Sequence, residues 1–238
     1  MSSSARSPDR QLHTDVEAIC LPKGRKVGSP GHKKVHKYIV SRLEEIGCVP
    51  FQGDSFELSD QKGSTSFYNL VGIIRGSDPE LPPLLVGAHY DSVIAAPCAD
   101  DNAAAVAIAL GVAERIANHE PTGSLGRDLI VAIFVAEEPP HFRCSIMGSQ
   151  RFWHEQLDGR PIHAASIMDM VGHDVSIPGS MLGQIPGIGG LLDKIPGLAN
   201  RDIPLPWLHP LVFVAGSESH PEMAGTLEAA GVAKGLKL

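Results

Sequence analysis

The run Leu129-Ile130-Val131-Ala132-Ile133-Phe134-Val135-Ala136 constrains this chain most, because eight apolar residues follow one another without polar alternation. A strand with one wetted face alternates, whereas a strand apolar at every position is covered on both faces, as in parallel α/β sheets. Leu84-Leu85-Val86-Gly87-Ala88 is a second such run, and Phe67 to Ile74 and Ala164 to Met170 read as further strands. Ahead of them, Gly31 to Gly47 carries Val35, Tyr38, Ile39, Leu43 and Ile46 on one helical face, with Gly28-Ser29-Pro30 before it. Asn102 to Asn118 is Ala-rich and helical, and Met147 to Gln156 reads as another helix. Strands alternating with helices predict an α/β fold, a three-layer sandwich with a mostly parallel or mixed central sheet flanked by helices.

With 238 residues, 43% of them hydrophobic, the chain is long enough for one sizeable core. Residues 1–15 read as a flexible leader and residues 16–238 as a single domain. Ser176 to Pro210 is rich in Pro and Gly, repeats Ile-Pro-Gly three times at uneven spacing, and reads as a long surface excursion. Leu211 to Ala215 then reads as a strand and Glu222 to Ala233 as a helix. The net charge of -7 argues against a nucleic-acid partner, and the excess of nine Lys/Arg over five Asp/Glu in residues 1–50 reads as a solvated helix face. Cys20, Cys48, Cys98 and Cys144 are scattered, which suggests neither a disulfide framework nor a thiolate metal site. The polar first twenty residues show no signal peptide, and no apolar run is long enough to span a bilayer. The expectation is a cytoplasmic protein with no membrane partner.

Three apolar strands end in groups that bind cations. The first ends in His89-Tyr90-Asp91, the second in Glu137-Glu138, and the third carries Asp169. Asp100-Asp101-Asn102 stands at the mouth of the Ala-rich helix. Taken singly, each has a plain structural reading: a core histidine beside a loop acid, a helix cap, a solvated turn. Asp169 is expected inside an apolar strand, where an unpaired carboxylate is costly. In open α/β sheets ligands gather beyond the carboxyl ends of the strands, so these acids converge on one rim. A divalent metal supplies the counter-charge, and imidazole plus carboxylates without thiolate suits zinc in a hydrolytic site.

The stretches Gly87-Ala88-His89-Tyr90-Asp91-Ser92, Ala99-Asp100-Asp101-Asn102, Glu137-Glu138 with Met147-Gly148-Ser149, and Met168-Asp169-Met170-Val171-Gly172 resemble peptidase family M28 in order and spacing. Gly28-Ser29-Pro30-Gly31-His32 and Asn69-Leu70-Val71-Gly72 fit the same pattern, so the resemblance covers about residues 25–175. It implies a zinc exopeptidase with two zinc ions, most often an aminopeptidase, acting on peptide substrates. His89 and Asp169 would hold one zinc, Asp101 would bridge both, and Glu138 would bind the second. Glu137 would be the general base and acid, and Asp91 would orient the His89 ring. The family often has a cis peptide after the bridging aspartate, here Asp101-Asn102.

The resemblance fails late in the chain. The family completes its second zinc with a histidine in a Ser-Asp-His loop, and the nearest string here is Ser217-Glu218-Ser219-His220. The expectation is therefore a domain without its C-terminal strands and a second zinc bound weakly or not at all. Pro139-Pro140 also stands where a Gly-rich turn is common. Two other readings remain open: a glutaminyl-cyclase-like acyltransferase with one zinc, and a non-catalytic metal-binding domain.

Overall fold

Every residue of β5 (Leu129–Phe134) is buried, because the strand lies at the middle of the sheet with helices on both sides. Leu129, Val131, Ile133 and Val135 pack into one apolar cluster with helical residues such as Val35, Ile39, Leu43, Val106 and Leu110. Ile130, Ala132 and Phe134 point the other way, toward Phe51, Leu85, Phe152 and Leu157. Each fully buried Val, Leu, Ile or Phe contributes roughly 1.5–3 kcal/mol, which is why this segment tolerates no polar residue. The result is the three-layer α/β sandwich expected from the sequence.

The computed structural model describes residues 8–62, 65–118, 125–171, 176–178 and 202–204. The helices are α1 (Pro8–Ile19), α2 (Pro30–Ile46), α3 (Ala105–Ala117) and α4 (Gly148–Arg151), with a π-helical turn at Phe152–Gln156 and a kinked turn at Ala99–Ala104 that is non-helical at Asp101 and Asn102. The strands in the same unit are β1 (Val49–Pro50), β2 (Glu57–Lys62), β3 (Thr65–Ile74), β4 (Leu84–His89), β5 and β6 (Ala164–Ile167). They form one mixed sheet in the order β1-β3-β5-β4-β6, with β2 also on β3. β3 runs antiparallel to β5, while β4 is parallel to both β5 and β6. The carboxyl ends of β4, β5 and β6 therefore lie along one edge.

Local chemistry sets the helix ends. Ser29 caps α2 by accepting the His32 N–H, Pro30 opens the first turn, and Gly47 closes it at φ 84°, a conformation that favours glycine. The buried face of α2 comprises His32, Val35, Ile39, Arg42, Leu43 and Ile46, the expected helical stripe with Tyr38 only partly buried and two polar members added.

The leader expected over residues 1–15 is corrected from Pro8 onward, where α1 begins. Gln11, Asp15 and Ile19, spaced four apart, are buried. Asp15 is fully enclosed because it accepts from Arg42 Nε (2.9 Å), Tyr38 Oη (2.6 Å) and Gln11 Nε2 (3.0 Å). A buried polar face supported by partners on other elements gives no apolar periodicity in sequence.

The chain divides into two compact units, Met1–Gly172 and His173–Leu238. In the second unit the described residues form an antiparallel pair, β7 (Ser176–Pro178) with β8 (Asp202–Pro204). The strand expected at 211–215, the helix expected at 222–233 and His220 lie outside the described residues.

Candidate metal centre

His89 is the last residue of β4, buried to 5% exposure at the rim where the parallel strands end. The register pairs Gly87 with Ile167, so His89 and Asp169 each lie two residues beyond a matched pair on adjacent strands. Asp101 reaches the same rim from the kinked turn that precedes α3, where its own backbone is non-helical (φ -106°, ψ 89°). One ligand atom from each of His89, Asp101 and Asp169 lies within 4.8 Å of the other two. Nε2 of His89 stands 3.2 Å from Asp101 Oδ1, 3.5 Å from Asp169 Oδ1 and 3.7 Å from Glu137 Oε2.

Two observations test whether these residues suit a metal. Both ring nitrogens of His89 are buried and neither makes a hydrogen bond, although carboxylates surround them. Two ligands of one tetrahedral zinc stand about 3.3 Å apart, given bonds of about 2.0–2.1 Å, which matches the spacing of Asp101 and Asp169 from Nε2. Burial alone would lower the His89 pKa, yet Asp101, Asp169 and Asp91 push it up to about 12. The acids thus demand a positive charge where Nε2 points, and a cation there satisfies orphaned nitrogen and carboxylates together. The residues fit zinc.

Asp91 is 1% exposed and faces Nδ1 of His89 at 3.6 Å. Its Oδ1 accepts the Glu137 N–H (3.2 Å) and its Oδ2 the Glu138 N–H (3.1 Å). Burial raises its pKa, but His89 and these two N–H donors outweigh that and hold the carboxyl below its usual range. Glu137 is pushed up by burial, with Asp169 and Asp91 adding to the effect against His89. Glu138 is 8% exposed, and burial together with Asp101 raises it to about 7.

The structure thus gathers His89, Asp101 and Asp169, sets Glu137 beside them and Asp91 behind the imidazole. Glu138 adjoins them in sequence but is not part of the three-residue cluster. Asp169 needs a correction of setting: β6 ends at Ile167 and the Asp169 side chain is 54% exposed, so it stands past the strand rather than buried inside it. The Asp101-Asn102 peptide is cis.

Sequence reasoning assigned no role to Asn69, Asn102 or Arg25. Asn69 on β3 accepts the Val135 N–H through Oδ1 (3.2 Å) and donates from Nδ2 to the Gly148 carbonyl (2.8 Å). A side chain at Gly148 would lie 2.3 Å from that same Oδ1, so the recurrence of Asn69 and Gly148 in one pattern has a packing cause. Asn102, fully buried, donates from Nδ2 to the Met168 carbonyl (3.0 Å), joining the Asp101 turn to the residue before Asp169. Presence in the quoted motifs was the only signal for these two.

A three-layer α/β sandwich whose parallel strands end in an imidazole–carboxylate cluster suited to zinc is the class that fold and site define. Residues 69–185, just under half of the chain, match the model of peptidase family M28. A vacuolar membrane protease of Candida albicans (strain WO-1) is 34% identical over 97 residues, covering 40% of this chain and 12% of that protein. One from Schizosaccharomyces japonicus is 40% identical over 117 residues, covering 44% of this chain and 13% of its own length. Among solved structures, Porphyromonas gingivalis glutaminyl cyclase superposes with a TM-score of 0.57 at 19% identity, covering 74% of this chain and 66% of that one. The Legionella pneumophila LapA aminopeptidase gives 0.56 at 19% identity, covering 69% and 42%. These two similarities show the fold.

The cytoplasmic expectation is overturned, because these curated relatives are named vacuolar membrane proteases. The match spans only about an eighth of these relatives' length, and scattered cysteines and polar first residues in this chain do not fix a compartment. The expectation of no membrane partner gains no support either. Among the described residues no helix is long and apolar enough to cross a membrane.

Proposed function

We propose that this chain carries the metal-binding core of a zinc-dependent exopeptidase that releases residues from the N-terminus of peptides. The observation that carries this reading is the convergence of His89, Asp101 and Asp169 with the Glu137 carboxylate 3.7 Å from His89 Nε2. His89 and Asp169 would hold one ion, Asp101 would be a ligand shared with a second, and Glu138 would bind that second ion. Zinc, when bound, polarises the scissile carbonyl and makes a water acidic enough to attack at neutral pH. Glu137, lifted above the ordinary carboxylate range, takes the proton of the attacking water and returns it to the leaving amine. Asp91 holds the imidazole in the tautomer that keeps Nε2 free for metal and, through the two glutamate N–H groups, fixes the turn that presents Glu137.

The position of Glu138 outside the three-residue cluster favours a second reading, a one-zinc acyltransferase that cyclises N-terminal glutamine. Mass analysis of a peptide beginning with glutamine separates the two. Hydrolysis shortens the peptide, whereas cyclisation loses ammonia and leaves the residue count unchanged. No zinc-dependent change in any such peptide would overturn both.

A further inference from the structure

Arg25 is fully buried, and it lies outside the carboxylate cluster. Its guanidinium has five N–H donors in a rigid fork, and each meets a different main-chain carbonyl. Nε donates to Tyr90 (3.0 Å), Nη1 to Ile19 (3.3 Å) and Pro97 (2.7 Å), and Nη2 to Cys98 (3.1 Å) and Asp101 (3.3 Å). Its own N–H donates to Ser92 Oγ at 2.7 Å. Four of the five acceptors belong to residues 90–101, the segment that leaves His89 and ends at Asp101. No carboxylate accepts a hydrogen bond from this guanidinium among the described residues.

A buried cation without a bound anion is a costly way to fill space, and an apolar side chain would fill it better. What the guanidinium adds is geometry. It draws the carbonyls of Tyr90, Pro97, Cys98 and Asp101 inward around one planar group, and Cys98 is turned to φ 48° within that loop. The preceding residue is fitted as closely. Gly24 has φ 67°, and a Cβ there would stand 2.2 Å from the Ile94 carbonyl oxygen and 2.9 Å from Ser92 Oγ. The turn at 24–25 is thus inserted into the loop that connects two ligands of the candidate metal site.

We propose that Arg25 is a positioning residue for that site: by gathering the main chain of residues 90–101 it fixes where His89 and Asp101 present their ligand atoms. The inference rests on the metal reading of His89, Asp101 and Asp169. Supporting groups around metal ligands typically change metal affinity about 10–100-fold when removed, and Arg25→Ala is expected in that range. Arg25→Lys, with one compact ammonium, recovers part of the affinity. Guanidinium ion at millimolar concentration recovers more of it in Arg25→Ala, because it restores the fork.

The test is zinc titration against a competing chelator on the full chain, with thermal unfolding of the metal-free proteins in parallel. Arg42→Ala, which removes a buried arginine from the α1–α2–α3 network, serves as the stability control. Weaker zinc binding in Arg25→Ala, restored by guanidinium, supports the proposal. Wild-type affinity in Arg25→Ala overturns it. So does an affinity loss equal to that of Arg42→Ala at equal loss of melting temperature, since that is the signature of general destabilisation. Should Arg25→Ala fail to fold, Gly24→Ala is read in its place, and unchanged zinc affinity there overturns the proposal. Absence of zinc binding by the wild type would instead overturn the metal reading itself, and this inference with it.

Discussion

Asp91 and Glu138 are joined side chain to main chain: Oδ2 of Asp91 accepts the Glu138 N–H at 3.1 Å. The same carboxylate accepts the Glu137 N–H and faces Nδ1 of His89. One buried anion thereby sets the imidazole at the end of β4 and the two glutamates after β5 in a common frame. Asp91→Ala is expected to lower zinc affinity about 10–100-fold. It is also expected to cost about 2–4 kcal/mol of folding stability, because two peptide N–H groups lose a charged acceptor. Asp91→Asn keeps one acceptor and should fall between. Chelator competition and urea unfolding read the two effects separately, and an Asp91→Ala protein with intact zinc affinity would remove Asp91 from the site.

Glu137 and Asp101 divide the site by role. Glu137→Gln keeps size and polarity but has no basic oxygen, so zinc content should stay at the wild-type level while turnover falls about 10²–10⁴-fold. Asp101→Ala removes the oxygen 3.2 Å from His89 Nε2 and should abolish metal binding. Metal content per chain, measured after equilibration with zinc and removal of free ion, checks both. Near two zincs in the wild type means that further groups complete the site around Glu138, and near one means that the His89, Asp101 and Asp169 cluster works alone. Loss of zinc in Glu137→Gln would contradict its assignment as a base outside the ligand set.

The sequence disclosed those parts of the molecule where a side-chain pattern repeats. β4 and β5 are apolar because both faces are covered, and α2 buries Val35, Ile39, Leu43 and Ile46 at helical spacing. Asp91, Glu137 and Glu138 were expected at the rim for the same reason, since they follow such runs, and Asp101 because it stands at the mouth of the Ala-rich helix. β2 was not, because its Glu-Leu-Ser-Asp-Gln-Lys sequence pairs only with β3 and shows no apolar run. Asp169 was placed too deep, because Met168 and Met170 made the run look like a strand that in fact ends at Ile167. Arg25 left no trace because its partners are peptide carbonyls, which every residue type supplies.

Arg42 tests the buried polar network that hid α1. Its guanidinium donates to Asp15 (2.9 Å), Glu45 (2.9 Å) and Glu114 (2.8 Å), joining α1, α2 and α3. Asp15 is fully buried, so Arg42→Met strands a charge and should cost about 3–5 kcal/mol. Asp15→Leu combined with Arg42→Met removes both charges and should recover most of that loss. Urea unfolding of the two single variants and the double variant gives the coupling directly. If Arg42→Met costs under about 1 kcal/mol, the network behaves like an exposed ion pair.

His32 gives a pH dependence separate from the metal ligands. The ring stacks on Tyr90 with centroids 4.8 Å apart, is 4% exposed, and has an Nε2 without a hydrogen bond. Burial lowers its pKa from 6.5 to about 4; Asp91 opposes the shift, whereas His36, Arg25 and Lys33 reinforce it. Between these values the unfolded chain binds more protons than the folded one, so stability rises with pH in this window. The contribution is fully present above about pH 6.5, declines as the pH falls, and is gone below about pH 4. Integrated over the shift, the effect is at most roughly 3 kcal/mol. His32→Gln, which has no titrating ring, should lose that much less stability than the wild type between pH 7 and pH 4, although its stability at pH 7 is lower. Unfolding free energies of both proteins across this range decide the matter, and parallel curves would mean that His32 titrates alike in the folded and unfolded chain.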